Sequence, residues 1–191
     1  MEPGGRKLNK FLSLLLGLII ILGGGRLAAE TVMFSVSGGY LFPADSGYKE
    51  VYGRSFMVPE FKLGIKVIKD IYVYGNFLTF SRNGLTPELQ EPASSNQSLI
   101  GGGLAYFPYL TSHWKLLVAA GLVSFTYKEK AMEIEVSGNK IGFSLEAGLY
   151  LKEKFLLFGL NAGYHSARDS YEGVDFKLGG ARVSLSLGFV F

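Results

Sequence analysis

The chain closes on ARVSLSLGFVF, residues 181–191. Every second residue back from the last is apolar: Phe191, Phe189, Leu187, Leu185, Val183 and Ala181. Apart from Val190, those between are small or polar: Gly188, Ser186, Ser184, Arg182 and Gly180. Successive side chains of a β-strand point to opposite faces, so this period of two describes a strand with one apolar face. Such a strand needs a partner, because an unpaired edge exposes a row of backbone donors and acceptors.

The same period recurs upstream. In EFKLGIKV (60–67), Phe61, Leu63, Ile65 and Val67 oppose Glu60, Lys62, Gly64 and Lys66. In KIGFSLEAGLYL (140–151), Ile141, Phe143, Leu145, Ala147, Leu149 and Leu151 oppose Lys140, Gly142, Ser144, Glu146, Gly148 and Tyr150. Reading outward from these predicts eight strands, at 31–43, 56–68, 71–81, 97–108, 114–127, 139–151, 155–167 and 179–191. Each is long enough to cross a bilayer tilted, which takes about 9–11 residues. A glycine beside a larger residue marks each strand, as in Gly39-Tyr40, Gly64-Ile65 and Gly148-Leu149. In Gly75-Asn76 the rule would turn Asn76 outward, so a reversed pleat there, with Asn76 inward, is expected.

The other end of the chain reads as a targeting segment. Arg6, Lys7 and Lys10 precede an apolar run from Phe11 to Leu22, and GGGRLAAE follows. A basic start, a short apolar core and small residues before a polar one make a secretory signal peptide. Residues 1–29 are expected to be that peptide, cut after Ala29, and residues 30–191 the barrel domain. The peptide holds Arg6, Lys7, Lys10 and Arg26 against Glu2, leaving 15 basic and 15 acidic residues beyond it. The basic pI therefore belongs to the targeting segment, and nucleic-acid binding is not expected. Cysteine is absent, which excludes disulfides, Cys-ligated metals and a lipid-modified N-terminus.

Connections alternate in length. SGYKEVYGRS, RNGLTPELQEPASSN, KEKAMEIEVSG and DSYEGVDFKLG are long; KD, YLTSH and KEK are short. Long loops on one side and tight turns on the other suit a transmembrane β-barrel. Aromatics are expected as girdles at its rims: Tyr72, Tyr74, Tyr109, Trp114, Phe155, Phe189 and Phe191 at the short-turn end, Tyr40, Phe42, Tyr127 and Tyr164 at the other. A soluble barrel would need the reverse arrangement, apolar inside and polar outside. Here Glu60, Lys62, Lys66, Lys140, Glu146 and Arg182 lie on strands whose other face is apolar. One such charge against lipid at midplane costs about 2–4 kcal/mol, so the charged face is expected inside. Counted from the lower strand ends, Lys62 and Glu146 are level near mid-barrel, and Glu60 and Arg182 are level above them. Buried charges are costly unless paired, so these four are expected to form an ion-pair network that fills the lumen.

On these residues the chain resembles the small eight-stranded bacterial outer-membrane β-barrel family of OmpA/OmpX type. GGARVSLSLGFVF is similar to its C-terminal assembly signal, with Leu187, Phe189 and Phe191 on one face. It departs in placing Gly188 two residues after the family's frequent glycine, where Ser186 stands. The resemblance implies a porin-like, all-β, up-and-down barrel in the Gram-negative cell envelope, with both termini in the periplasm. It also implies contact with outer-membrane lipid and lipopolysaccharide, recognition by the barrel-assembly machinery, and a monomer without cofactors.

Chemistry is sparse. His113 adjoins Trp114 in a short turn and reads as a solvated residue. YHSARDSYEG places His165, Ser166, Asp169 and Glu172 near the outer rim, and some barrels of the family are lipid A deacylases with a His, a Ser and a carboxylate there. Attack by serine needs a base within hydrogen-bond reach. The family spaces its His and Ser two apart, on one face; His165 and Ser166 are adjacent, which sends them to opposite faces. IGGGLA lacks the strand-to-helix setting of a phosphate cradle. The acidic KEKAMEIEVSG lacks the ligand spacing of a calcium loop, so no metal is expected. The favoured expectation is a non-enzymatic envelope protein, structural or surface-binding through four outer loops. The alternatives are a lipid A-modifying enzyme using His165, Ser166 and Glu172, or a small-solute channel; a bore this narrow is normally filled by side chains.

Overall fold

A computed structural model describes residues 30–131 and 134–191. The signal peptide expected over residues 1–29 lies outside the described residues. The strands are β1 (Val32–Pro43), β2 (Phe56–Ile68), β3 (Ile71–Leu85), β4 (Pro92–Tyr106), β5 (Trp114–Ala131), β6 (Ile134–Glu153), β7 (Leu156–Tyr171) and β8 (Val174–Val190). Each pairs antiparallel with its sequence neighbour, and β8 returns to β1, closing the barrel. One short helix, α1 (Ser46–Tyr52), sits between β1 and β2.

Closure rests on a seam that runs from Met33 opposite Val190 to Pro43 opposite Gly180. It is finished by reciprocal bonds: Val32 N–H donates to the Phe191 carbonyl at 3.0 Å, and Phe191 N–H to the Val32 carbonyl at 2.9 Å. The Phe191 ring stacks on Phe189, which stacks on Phe155 across the β7 turn. Gly39 marks a tight point of the seam. A Cβ there would lie inside van der Waals contact with the Val183 carbonyl and the Ser184 backbone.

The pleat has the polarity read from the sequence. Phe61, Leu63, Ile65, Val73, Leu145, Leu149, Leu185 and Leu187 are exposed on the outside, while Ser35, Ser37, Glu60, Lys62, Asn76, Glu146 and Arg182 are buried within. Soluble monomers rarely expose contiguous apolar patches beyond a few hundred Å². A continuous apolar belt around a closed sheet is a surface solvated by lipid. Asn76 points inward, as the reversed pleat of β3 requires.

That pleat also moves several aromatics. Tyr72 and Tyr74 share the inward face of β3 with Asn76 and are buried in the lumen, and Tyr127 is buried within β5. They do not form part of a girdle. Tyr109, Trp114, Phe155 and Phe191 at one end, and Tyr40, Phe42 and Tyr164 towards the other, do stand on the outer surface. Lys140 is also misplaced by the sequence reading. It lies above the filled lumen, half exposed, and pairs with Asp169 at 2.9 Å.

The long connections differ most from expectation. Apart from α1, they continue as strands well beyond the length needed to cross a bilayer. β5 and β6 remain paired up to Ala131 opposite Ile134. β7 and β8 remain paired up to Tyr171 opposite Val174, around Glu172 and Gly173 with φ of 50° and 82°. Positive φ at both central residues is the two-residue turn whose twist matches a hairpin. The first connection folds into α1 because Asp45 caps it, accepting from the Tyr48 N–H at 2.9 Å. The result is a membrane barrel topped by projecting hairpins.

Gly39→Val should prevent closure of the seam and remove the compact, heat-modifiable band on unheated gels. Gly38→Val is the control: its Cβ would meet only the Met57 Cε, at 3.4 Å, and the barrel should fold normally.

Candidate functional site

The lumen is built in layers. At mid-barrel, Arg182 Nη2 lies 2.6 Å from Glu60 Oε2, and Lys62 Nζ lies 2.5 Å from Glu146 Oε1. Arg182 also approaches Glu146 at 3.8 Å, and Lys62 approaches Glu60 at 4.0 Å. Two cations and two anions therefore alternate around a ring without net charge. Asn76 Nδ2 donates to Glu60 Oε1 at 2.7 Å, and Ser37 Oγ donates to Glu60 Oε2 at 3.2 Å. All four charged side chains are at most 4% exposed. The structure thus brings together Glu60, Lys62, Glu146 and Arg182 from β2, β6 and β8.

Apolar layers lie on either side. On the short-turn side are Met33, Tyr72, Tyr74, Phe107, Leu117, Tyr150 and Leu157. Phe107 packs edge-on against both Tyr72 and Tyr150. On the hairpin side are Leu41, Phe56, Val58, Leu78, Phe125 and Leu178. Low-dielectric walls strengthen the attraction within the ring, and they make any unpaired member costly.

A second charge cluster closes the short-turn end. The Glu30 carboxylate accepts from Lys115 Nζ at 2.7 Å, from Lys152 Nζ at 2.9 Å and from the Tyr109 hydroxyl. Its backbone carbonyl accepts from the Tyr72 hydroxyl at 2.8 Å. Burial alone would raise the Glu30 pKa, but the bonds from Lys115, Tyr109 and Lys152 outweigh it and lower the pKa from 4.5 to about 2. The sequence reading missed this cluster. Its one signal was Lys115, two residues before Leu117 on the inward face of β5.

The histidine and serine at the outer rim are not brought together. His165 faces the lumen, 1% exposed, and neither ring nitrogen has a hydrogen-bond partner among the described residues. Ser166 takes the opposite face of β7. Glu172 sits at the hairpin tip, and Asp169 is engaged by Tyr127 at 2.5 Å and by Lys140. His113 lies in the exposed β4–β5 turn. Leu187 and Phe191 are exposed on the outer face of the last strand, with Phe189 partly covered there by its ring neighbours.

These features define a closed antiparallel β-barrel of eight strands with an apolar outer belt and an ionic, side-chain-filled lumen, the fold of the small outer-membrane barrels. Solved structures with this fold include neisserial surface protein A, which is 12% identical with a TM-score of 0.65. That match covers 86% of this chain and 100% of the other. The N-terminal barrel domain of Pseudomonas aeruginosa OprF is 11% identical with a TM-score of 0.52, again over 86% and 100%. Ail of Yersinia pestis, solved with the heparin analogue sucrose octasulfate, is 16% identical with a TM-score of 0.53 over 84% and 99%. Identities this low establish the shared fold alone. No family model and no curated protein matches the sequence.

Two predictions follow from the charge clusters. Glu146→Ala strands Lys62 and should destabilise the barrel by about 3–5 kcal/mol, with Lys62→Ala in the same chain recovering part of the loss. Urea unfolding followed by Trp114, the single tryptophan, reads both, and fully additive losses would contradict the pairing. Because the folded pKa of Glu30 is depressed, its stabilisation is complete above pH 4.5 or so and is lost as pH falls towards 2. The difference in urea midpoint between wild type and Glu30→Gln should therefore be constant from pH 7 to 5 and vanish towards pH 2.

Proposed function

We propose that the protein is a non-enzymatic barrel of the outer membrane with a sealed lumen, structural or surface-binding through its outer hairpins. The observation that carries this reading is the charge-neutral ring of Glu60, Lys62, Glu146 and Arg182 between two apolar layers. An open pore would need those side chains to part, leaving charges unpaired against low-dielectric walls. In this reading the termini and short turns face the periplasm, and the hairpins face outward. Leu187, Phe189 and Phe191 then serve as the signal read by the barrel-assembly machinery, and the belt meets outer-membrane lipid and lipopolysaccharide around a single copy of the chain.

Surface binding is supported by the strands' excess length, since the hairpins extend past what the bilayer requires. Ail, with the same fold, has been solved with sucrose octasulfate bound, which supports ligand binding as a use of such barrels. Against a deacylase stands the separation of His165 and Ser166 onto opposite faces, which denies the serine its base.

Purified barrel in a planar bilayer should pass no steady ion current, and lipid A acylation should be the same in cells with and without the protein. A stable open conductance would overturn the sealed lumen. Loss of a lipid A acyl chain only in cells that carry the protein would overturn the non-enzymatic reading.

A further inference from the structure

The filled layers stop short of the outer mouth. A cavity of about 470 Å³ opens there, between α1 and the β5–β6 and β7–β8 hairpins. A volume of this order holds a small organic molecule. Its walls are largely aromatic and aliphatic, with Tyr48 and Tyr52 from α1, Tyr127 and Val136 from one hairpin, and Phe176 and Leu178 from the other. Tyr48 and Tyr52 pack ring to ring at 4.5 Å, and Tyr127 meets Phe176 edge-on at 5.6 Å.

One carboxylate in this wall is short of partners. Glu129 is partly buried, and its Oε1 receives two long hydrogen bonds, from Ser95 at 3.3 Å and from Gln97 at 3.4 Å. Among the described residues it forms no ion pair, in contrast to Glu60, Glu146 and Glu30. The other charges at the cavity do not answer it. Both Asp45 oxygens accept backbone N–H groups, from Tyr48 at 2.9 Å and Lys177 at 3.1 Å. Glu172 adds a further negative charge on the rim, and the Lys177 side chain is exposed. Arg82 lies outside the cavity wall, over the Phe56 ring.

The charge pattern selects among occupants. An anion would meet Asp45, Glu129 and Glu172 against a single cation of the lining, Lys177. A neutral apolar molecule would strip water from Glu129 without replacing it, a costly arrangement. A cation gains from the carboxylate and from the negative faces of the tyrosine rings. We propose that the outer mouth is a binding site for an organic ammonium ion carrying an apolar body, with Glu129 as counter-ion and Tyr48, Tyr52, Tyr127 and Phe176 as its aromatic walls. The assignment rests on the surface-binding reading above and names the ligand class for it.

The test uses the full barrel in nonionic detergent, titrated calorimetrically with benzyltrimethylammonium, benzyl alcohol and benzylsulfonate. The ammonium should bind saturably and the other two much more weakly. Glu129→Gln keeps the hydrogen bonds to Ser95 and Gln97 and removes the charge; it should weaken ammonium binding roughly tenfold or more. Val136→Trp fills the cavity and should abolish binding, and heat-modifiability on gels verifies that each variant is folded. Absence of ammonium binding by wild type, equal binding of the neutral or anionic probe, or undiminished affinity in both folded variants would overturn the assignment. An open conductance in the bilayer experiment would remove the sealed-lumen reading while leaving the cavity assignment standing. A silent barrel that binds no ammonium would remove the assignment alone.

Discussion

Everything in this fold follows from the pairing of β1 with β8. Hydrocarbon offers no partner to a backbone N–H or C=O, so a sheet in a membrane must have no edge. The chain meets that demand by setting Met33–Pro43 against Gly180–Val190, with Val32 and Phe191 bonding reciprocally at the end of the seam. Eight strands closed on themselves give a bore narrow enough for side chains to fill. Gly39 is required at that seam because the neighbouring strand comes too near for any side chain. Closure of eight strands thus fixes the width of the bore and the identity of a residue.

Closure in lipid also inverts the usual distribution of residues. Much of the apolar set that would build a soluble core lies on the outer belt, so the middle of the bore receives serines, asparagines and charges between its two apolar layers. A bore of this width admits too little water to solvate four charges, and the sequence supplies them in equal numbers of each sign. Pairing then becomes a condition of folding. The ring joins β2 to β6 and β8 across the bore, so it holds the barrel's cross-section as hydrogen bonds between adjacent strands cannot. Tyr72, Phe107 and Tyr150 below and Phe56, Leu78 and Leu178 above shield it from water at either end.

Most of this was legible because a strand's face follows from parity alone. Once Leu185 and Leu187 are assigned to lipid, Arg182 must point inward, and the same count places Glu60, Lys62 and Glu146. Depth along each strand then sets which charges are level. What parity does not give is where a strand stops. IEVSG (134–138) alternates like a strand, but its charge reads as a loop, and in the structure Glu135 lies on the solvated face of a hairpin beyond the membrane. The tyrosines failed for a related reason. Tyr72 and Tyr74 resemble headgroup anchors by position, yet the pleat of β3, fixed by Asn76, turns them into the lumen. Glu30 and Glu129 were invisible because their partners come from residues distant in sequence.

The three carboxylate environments divide the labour of the barrel. Glu60 is held by Arg182, Lys62, Asn76 and Ser37, and Glu146 by Lys62 and Arg182, so both are answered within the ring. Glu30 is likewise saturated by Lys115, Lys152 and Tyr109, where it ties the start of β1 to the turns at that end. Both groups do structural work, because a fully paired charge in a low-dielectric site is worth most to the protein when nothing competes for it. Glu129 differs in having the burial without the counter-ion. A protein gains no stability from that arrangement, since the carboxylate loses water and receives only two long hydrogen bonds in return. Such an incomplete environment is sustainable at the open mouth, where solvent still reaches the cavity, and would not be sustainable at mid-barrel. Glu129 at the open mouth thus stands apart from the paired carboxylates at mid-barrel and at the short-turn end, and the contrast separates the part that holds the barrel shut from the part left available to bind.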